Sequence, residues 1–447
     1  MLTEARCREL FAEVQKAARS LGVVEVEALF SAHRDALTRF ANNTIHQNVA
    51  EQTQWLSVRA SLDHKTARAT TNRLDAAAIR SAVEQAIALA KSAAADPELL
   101  PMAQPSNVPG IDRFDARTAS ATPEDRGRAV AGAIHVVEAA GQTAAGIYST
   151  GEAVEAIFNS QGVAAWHCET LAQFSITAMA DDSSGWAKAS AVSCADIDVQ
   201  ALARRASEKA HLSRNPKEIP PGRYTVVLEP AAVLDLVGQM FGDFSATSLR
   251  DQRSFLTDRL GTKLFGDNID IVDDVAHPLQ AGVPFDGEGV PRKKLTLVEA
   301  GVPREVAYSR SSAHRDGVAP TGHGFPLPNE VGEAPLNIVI AGGSTPVEDM
   351  IASTDRGILV TRLWYIREVD PYEKIMTGMT RDGTFLIENG RLSSGLRNFR
   401  FNQGIIELLN HVEALSPVVR ASGEEIFDMA VPAMKVREFH FTEVTRF

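Results

Sequence analysis

Cysteine is nearly missing from this 447-residue chain: it has Cys7, Cys168 and Cys194, and none beyond. None forms a C-x-x-C pair, which excludes a disulfide scaffold and a cysteine-rich zinc module. A reducing cytoplasm fits that usage. Positive charge is short as well, with 45 Lys and Arg against 57 Asp and Glu, a net charge of −12. A broad nucleic-acid footprint needs the opposite balance, so nucleic acid is not an expected partner. No apolar run reaches the roughly 18 residues that a membrane span requires. The first 22 residues, MLTEARCRELFAEVQKAARSLG, are charged throughout and read as an amphipathic helix. They lack the apolar stretch of a secretory signal. Familiar catalytic signatures are missing too. There is no H-E-x-x-H and no G-x-S-x-G, and Gly342-Gly343-Ser344-Thr345 lacks the Gly-Lys-Ser/Thr of a phosphate loop.

What is present is an ordinary soluble composition, 44% hydrophobic and 23% charged, at a length that asks for two or three domains. Val24–Phe30 and Gln54–Ala60 alternate as half-buried strands, with Asn42-Asn43 marking a turn between them. From Leu74 an Ala-rich helix follows, capped by Asp75 and ended by Pro97. After a Pro-rich linker, Thr122-Pro123-Glu124 opens a helix that Gly141 stops. Strands are predicted over Gly146–Thr150, Ala153–Ser160, Ala164–His167 and Gln173–Met179, and a helix closes the unit near 213. The first half thus reads as two helix–strand–strand–helix modules in tandem, 1–100 and 112–214, an architectural duplication. PKEIPPG at 216–222 is a boundary. Residues 222–447 read as richer in antiparallel strands, with a few helices. Hairpins are predicted at Ala300-Gly301 and Asn389-Gly390, and a further strand over 396–402. The fold class is α+β.

Few residues offer chemistry. In AVLDLVGQMFGD (232–243), Val233, Leu236, Val237, Met240 and Phe241 form one apolar helical stripe, with Asp235 and Gln239 off its middle. Pro230 suits the first turn. Asp286 and Glu288 lie two apart in FDGEG, where they could do acid–base work, bind a hard cation or simply shape a turn. His314 and His323 occupy a Gly/Pro-rich loop, better suited to solvent or substrate contact than to a metal. Trp166-His167-Cys168 ends a strand pattern and reads as core or edge. Thr345, Pro346 and Glu348 read as a capped helix start. No catalytic constellation is visible in the residues themselves.

An ordered set of segments nevertheless resembles a known family. LTRFANNTIHQ (37–47), RSFLTDRLGTKLF (253–265), VPFDGEGVP (283–291), the SSAH…TGHGFP loop (311–326) and GGSTPVEDMIASTDRGILV (342–360) are similar to TldD/PmbA proteins, once labelled modulators of DNA gyrase. The resemblance spans nearly the whole chain. It implies cytoplasmic metallopeptidases acting on peptides or unfolded chains, in two branches that pair. TldD-like members carry His-Glu-x-x-x-His on a helix and a Cys near the C-terminus. TldE-like members, also called PmbA, lack them. Laid on that motif, Leu234 and Gln239 take the two His positions and Asp235 takes the Glu. Leu cannot ligate zinc, Gln is a poor ligand, and no late Cys exists. RSFLTDRLG and PFDGEGV also resemble the TldE branch more closely.

The resemblance therefore implies a non-catalytic subunit that binds no metal itself. Its partners would be a TldD-like sibling holding zinc and a peptide or unfolded protein substrate. A homodimer in isolation is compatible, and no membrane is involved. Two alternatives stay open. One is a stand-alone or homodimeric peptidase whose unconventional site or substrate groove uses Asp286, Glu288, His314 and His323. The other is a peptide- or protein-binding regulator without a peptidase role.

Overall fold

In the computed structural model, which describes residues 1–445, the first module is built from α1 (Glu4–Ser20), β1 (Glu25–Ala41), β2 (Thr44–Leu62), β3 (Lys65–Thr71) and α2 (Ala76–Ser92). The second has α3 (Ala116–Ala119), α4 (Pro123–Ala139), β4 (Thr143–Asn159), β5 (Ala164–Met179), β6 (Ser184–Ala191) and α5 (Val199–Leu212). Local chemistry sets the ends. The Asp75 carboxylate accepts from the Ala78 amide, and Thr122 forms a capping box with Asp125 rather than with Glu124. Asn42 and Asn43 both take positive φ, the requirement of a tight two-residue hairpin turn.

Each module carries a third strand that its sequence did not announce, and the strands read as separate short pieces run through as β4 and β5. All six form one antiparallel sheet in the palindromic order β3-β2-β1-β4-β5-β6, each module supplying one half. The architectural duplication is thus a single sheet with a pseudo-two-fold between β1 and β4. α1 and α2 pack on the first half around Phe11, Phe30 and Val58. α4 and α5 cover the second half around Phe40, Val130 and Phe174.

One buried ion cluster ties this sheet to the rest. The Glu27 carboxylate, 1% exposed, accepts from Arg59 at 2.9 Å and from Arg68 at 2.7 Å. Arg68 Nε also donates to the Leu327 carbonyl at 2.8 Å, across to the C-terminal half.

That half begins with β7 (Gly222–Leu228), α6 (Pro230–Val237) and α7 (Ala246–Arg250). It continues through β8 (Ile271–Asp273), β9 (Leu295–Glu299), β10 (Val302–Pro303), α8 (Arg310–Asp316), β11 (Ile338–Ile340) and α9 (Val347–Ala352). The remainder is β12 (Arg356–Asp370), β13 (Ile375–Glu388), β14 (Arg391–Gly395), β15 (Phe399–Gly404), α10 (Ile405–Asn410), β16 (Val412–Leu415), β17 (Val419–Ala421), β18 (Met429–Val431) and β19 (Met434–Val444). One sheet runs β12-β7-β19-β15-β13-β14, and because β12 also pairs β13 the path closes on itself. The other runs β10-β9-β8-β11-β18-β17. The core between them holds α6 together with Phe241, Phe244, Phe255 and Phe265. The hairpins at Ala300-Gly301 and Asn389-Gly390 form as predicted, all four residues at positive φ. The capping box expected at Thr345 does not: Pro346 is the N-cap of α9, and no side chain closes the end.

Candidate functional site

α6 leaves β7 through Glu229 and starts at Pro230, whose fixed φ suits the first turn. Glu229 makes no cap bond, because its carboxylate is drawn to Lys209 of α5. The helix does not continue along its apolar stripe. At Gly238 it tightens into a 3₁₀ segment, Gly238–Asp243, and Ile426 packs where a side chain at 238 would stand. Every side chain from Ala232 to Val237 is buried, and Leu234 and Asp235 are 0% exposed.

Asp235 was expected at the margin of the stripe; it sits at the bottom of a loop. Its Oδ1 accepts from the backbone amides of Glu424 (3.1 Å) and Glu425 (3.0 Å). Burial pushes its carboxyl up to about 7, despite those two amides. Gly423 lies directly over the carboxylate, where a Cβ would fall 2.0 Å from Oδ1. Gln239 turns inward, its Nε2 donating to the Asp235 carbonyl at 3.1 Å. The loop is held from outside too. Lys188 of β6 donates to the Gly423 carbonyl at 2.6 Å, and Glu425 accepts from the amides of Tyr365 (2.7 Å) and Ile366 (3.3 Å). Beside the start of α6 opens a cavity of about 650 Å³, lined by Trp186, Lys188, Lys209, Pro230, Arg420 and Ser422 among others. Sequence reasoning found α6 but missed Gly423, Glu424 and Glu425, which lie some 190 residues away and carry no local signal.

The other four candidates do not share one groove. His314 is exposed on α8, a short helix rather than a loop. His323 is 1% exposed; its Nε2 lies 3.1 Å from Asp273 Oδ1 and its Nδ1 2.9 Å from Thr321 Oγ1. Burial alone would push Asp273 up, but His323 and the Asn337 amide hold it below the ordinary carboxylate range. Asp286 and Glu288, each 3% exposed, do come together around Gly324. Asp286 accepts from the amides of Glu288, Val290 and Gly324 at 2.8–2.9 Å, and Glu288 from that of Arg310 at 2.9 Å. Burial raises both, and with Asp286 beside it Glu288 reaches about 7. These carboxylates organise backbone rather than face solvent.

A metal fits none of this. In the α6 window Leu234 offers no donor, Asp235 is buried beneath Gly423 with Oδ1 taken by two amides, and Gln239 is turned onto the helix. Among the described residues no group of three His, Cys, Asp or Glu side chains is placed to hold an ion.

Comparison with known proteins places the chain. The profile of the PmbA/TldA metallopeptidase domain 1 matches residues 26–90, that of the central domain 82–214, and that of the C-terminal domain 221–443. The chain belongs to the PmbA/TldD metallopeptidase family. A metalloprotease of Methanothermobacter thermautotrophicus is 24% identical over 335 residues, 69% of this chain and 71% of that one. A metalloprotease TldD homolog of Buchnera aphidicola (the Acyrthosiphon pisum symbiont) is 27% identical over 216 residues, 45% of this chain and 42% of that one. Among solved structures, TldE of Thermococcus kodakarensis superposes with a TM-score of 0.86 at 20% identity, over 96% of this chain and 100% of that one. A Thermotoga maritima protein described as a modulator of DNA gyrase gives 0.86 at 21%, over 97% and 100%. At those identities the likeness is one of fold. The fold of those structures covers 96–97% of the chain. No helix among the described residues is long and apolar enough to cross a membrane.

Proposed function

We propose that this chain is the TldE-like, metal-free subunit of a two-subunit cytoplasmic metallopeptidase that processes peptides or unfolded chains. A TldD-like sibling would supply zinc and the hydrolytic chemistry. The observation that carries this reading is the fate of the α6 window. Where the resemblance aligns two His ligands and a general base, Leu234 is core, Gln239 bonds its own helix and Asp235 fastens the 423–425 loop. Asp235 is 0% exposed beneath Gly423, so although burial raises its carboxyl to about 7 it does not face a substrate water. The burial of Asp286, Glu288 and His323 weighs against a stand-alone site built from them.

The test is metal content and activity together. Untagged protein is expected to carry well under 0.1 zinc, or other divalent metal, per chain by mass spectrometry. It should cleave no unfolded peptide alone and gain activity when mixed with a TldD-like protein from the same genome. Near-stoichiometric metal, or chelator-resistant peptidase activity in the pure chain, would overturn the reading.

A further inference from the structure

A cavity of about 590 Å³ opens where the N-terminal sheet meets the C-terminal half. Glu169, Leu171 and Gln173, alternate residues on one face of β5, line it from the sheet. Arg292 and Asn337 line it from the C-terminal half, and Phe427 and Asp428 from just beyond the loop that Asp235 fastens. None of the groups already considered at α6 faces it.

The guanidinium of Arg292 is the group that the fold leaves unanswered. Its Nε donates to the Val283 carbonyl at 3.1 Å, while its Nη1 is shut off from solvent without a hydrogen-bond partner. No carboxylate among the described residues makes an ion pair with it; Asp273 and Asp286 act on it only from a distance. Both are spent elsewhere. Asp273 is held by His323 and the amides of Leu336 and Asn337, and Asp286 by three amides of its own loop. A guanidinium withdrawn from water is stabilised by an anion in contact with it, and the chain provides none. The other arginines at this junction are committed. Arg113 donates to the carbonyls of Val275 and His277, and Arg420 to Ser190, Asp428 and the Leu279 carbonyl. The acids are committed too. Glu169 accepts from the Gly282 amide at 2.8 Å, and Asp428 from Arg420 at 3.2 Å.

We propose that this cavity takes the C-terminal carboxylate of a peptide whose last side chain is apolar. The carboxylate would sit on Arg292, and the side chain between Leu171 and Phe427. A planar guanidinium offers a carboxylate two parallel N–H donors, which a lysine could not. Gln173, beside Leu171 on the same face of β5, can add a side-chain amide donor. Leu171 and Phe427 are 38% and 42% exposed, so both present apolar surface to a ligand. A few polar groups set among apolar walls are the usual make-up of a small-ligand site. A phosphate fits less well, because its second charge would meet Glu169 and Asp428 with one uncommitted guanidinium to offset it. The inference rests on the peptide-handling part of the proposed function and not on the metal-free reading of α6.

Fluorescence anisotropy with the full chain tests it, using a short Gly/Ser peptide that ends in phenylalanine and is labelled at its N-terminus. The free acid is expected to bind saturably at sub-millimolar concentration. The same peptide as its C-terminal amide should bind at least roughly tenfold more weakly. Arg292→Gln should weaken binding of the acid by a similar factor and leave that of the amide unchanged. Leu171→Asp changes an exposed side chain and sets a negative charge at the cavity, so it too should weaken the acid. That variant decides the matter should Arg292→Gln misfold. No saturable binding of the acid, equal binding of acid and amide, or folded variants that bind the acid as the wild type does would overturn the proposal. An amidated peptide ending in glutamate that binds as tightly as the acid would also overturn it, since the site would then read a side-chain carboxylate. These titrations need no TldD-like sibling, so their failure is separate from a failure of the metal and mixing test above.

Discussion

Glu27→Gln is expected to destabilise the chain by about 3–5 kcal/mol, read as a drop in urea midpoint. The carboxylate is buried between Arg59 and Arg68, and removing its charge leaves two guanidinium groups facing each other without compensation. Arg68 is additionally bonded to the Leu327 carbonyl, so the loss should also loosen the hold of the first sheet on the C-terminal half. The pH dependence has a definite sign. Burial pushes Glu27 up, but Arg59 and Arg68 outweigh it, and the folded-state value lies below the ordinary one. The margin of wild type over Glu27→Gln is therefore fully present above about pH 4.3, the unfolded value. It disappears as pH falls through the lower folded value. A difference unchanged at acid pH would show that the ion cluster is not its source.

The second large effect lies at Asp235. Asp235→Ala removes the acceptor of the part-buried amides of Glu424 and Glu425, at up to about 1–3 kcal/mol for each donor that water does not reach. Asp235→Asn keeps an oxygen for both amides and should be far milder. The sign is opposite to that of Glu27. Because burial raises the folded-state value to about 7, the wild type's stability relative to Asp235→Asn is greatest below about pH 4. It shrinks as pH rises through 7. Thermal melts of the three proteins between pH 4 and 8 check this. Equal losses in Asp235→Ala and Asp235→Asn would contradict a role in holding the loop. The outcome bears on function, because it separates a residue that fastens backbone from one kept for acid–base work.

The sequence revealed what local chemistry decides and hid what distant residues decide. Asn42-Asn43, Ala300-Gly301 and Asn389-Gly390 were legible because a tight turn needs positive φ at those positions, whatever surrounds them. Helices with a capping Asp or Thr and an apolar stripe were legible for the same reason. β6, SGWAKASA, was not: small residues give it little strand preference, and it exists because β5 and α5 both pack on it. β4 was broken into pieces because Gly151 interrupts the pattern; in the sheet that glycine admits the side chain of Asp35. The candidate site divided along the same line. Leu234 and Gln239 could be judged as ligands from residue type alone. The task of Asp235 could not be judged, since it depends on a loop almost 190 residues later. Asp286 and Glu288 likewise suggested an open acid–base loop only until the amides that surround them were in place.

The strand order of the C-terminal half also constrains how the protein comes into being. β19 lies between β7 and β15 inside the closed sheet, although it comes from residues 434–444. While the chain is being synthesised, β7 and α6 have emerged long before the strand that will cover them. Until β19 arrives, the sheet is open at its middle and Val226, Phe399 and Phe401 lack their facing residues Val436, Phe439 and Phe441. The first sheet has no such dependence and can close once β6 is made. Assembly on the ribosome is therefore staged: a finished N-terminal sheet waits beside an incomplete C-terminal one. Chaperone attention belongs to that interval, since long-range pairings left open are the exposed, aggregation-prone ones.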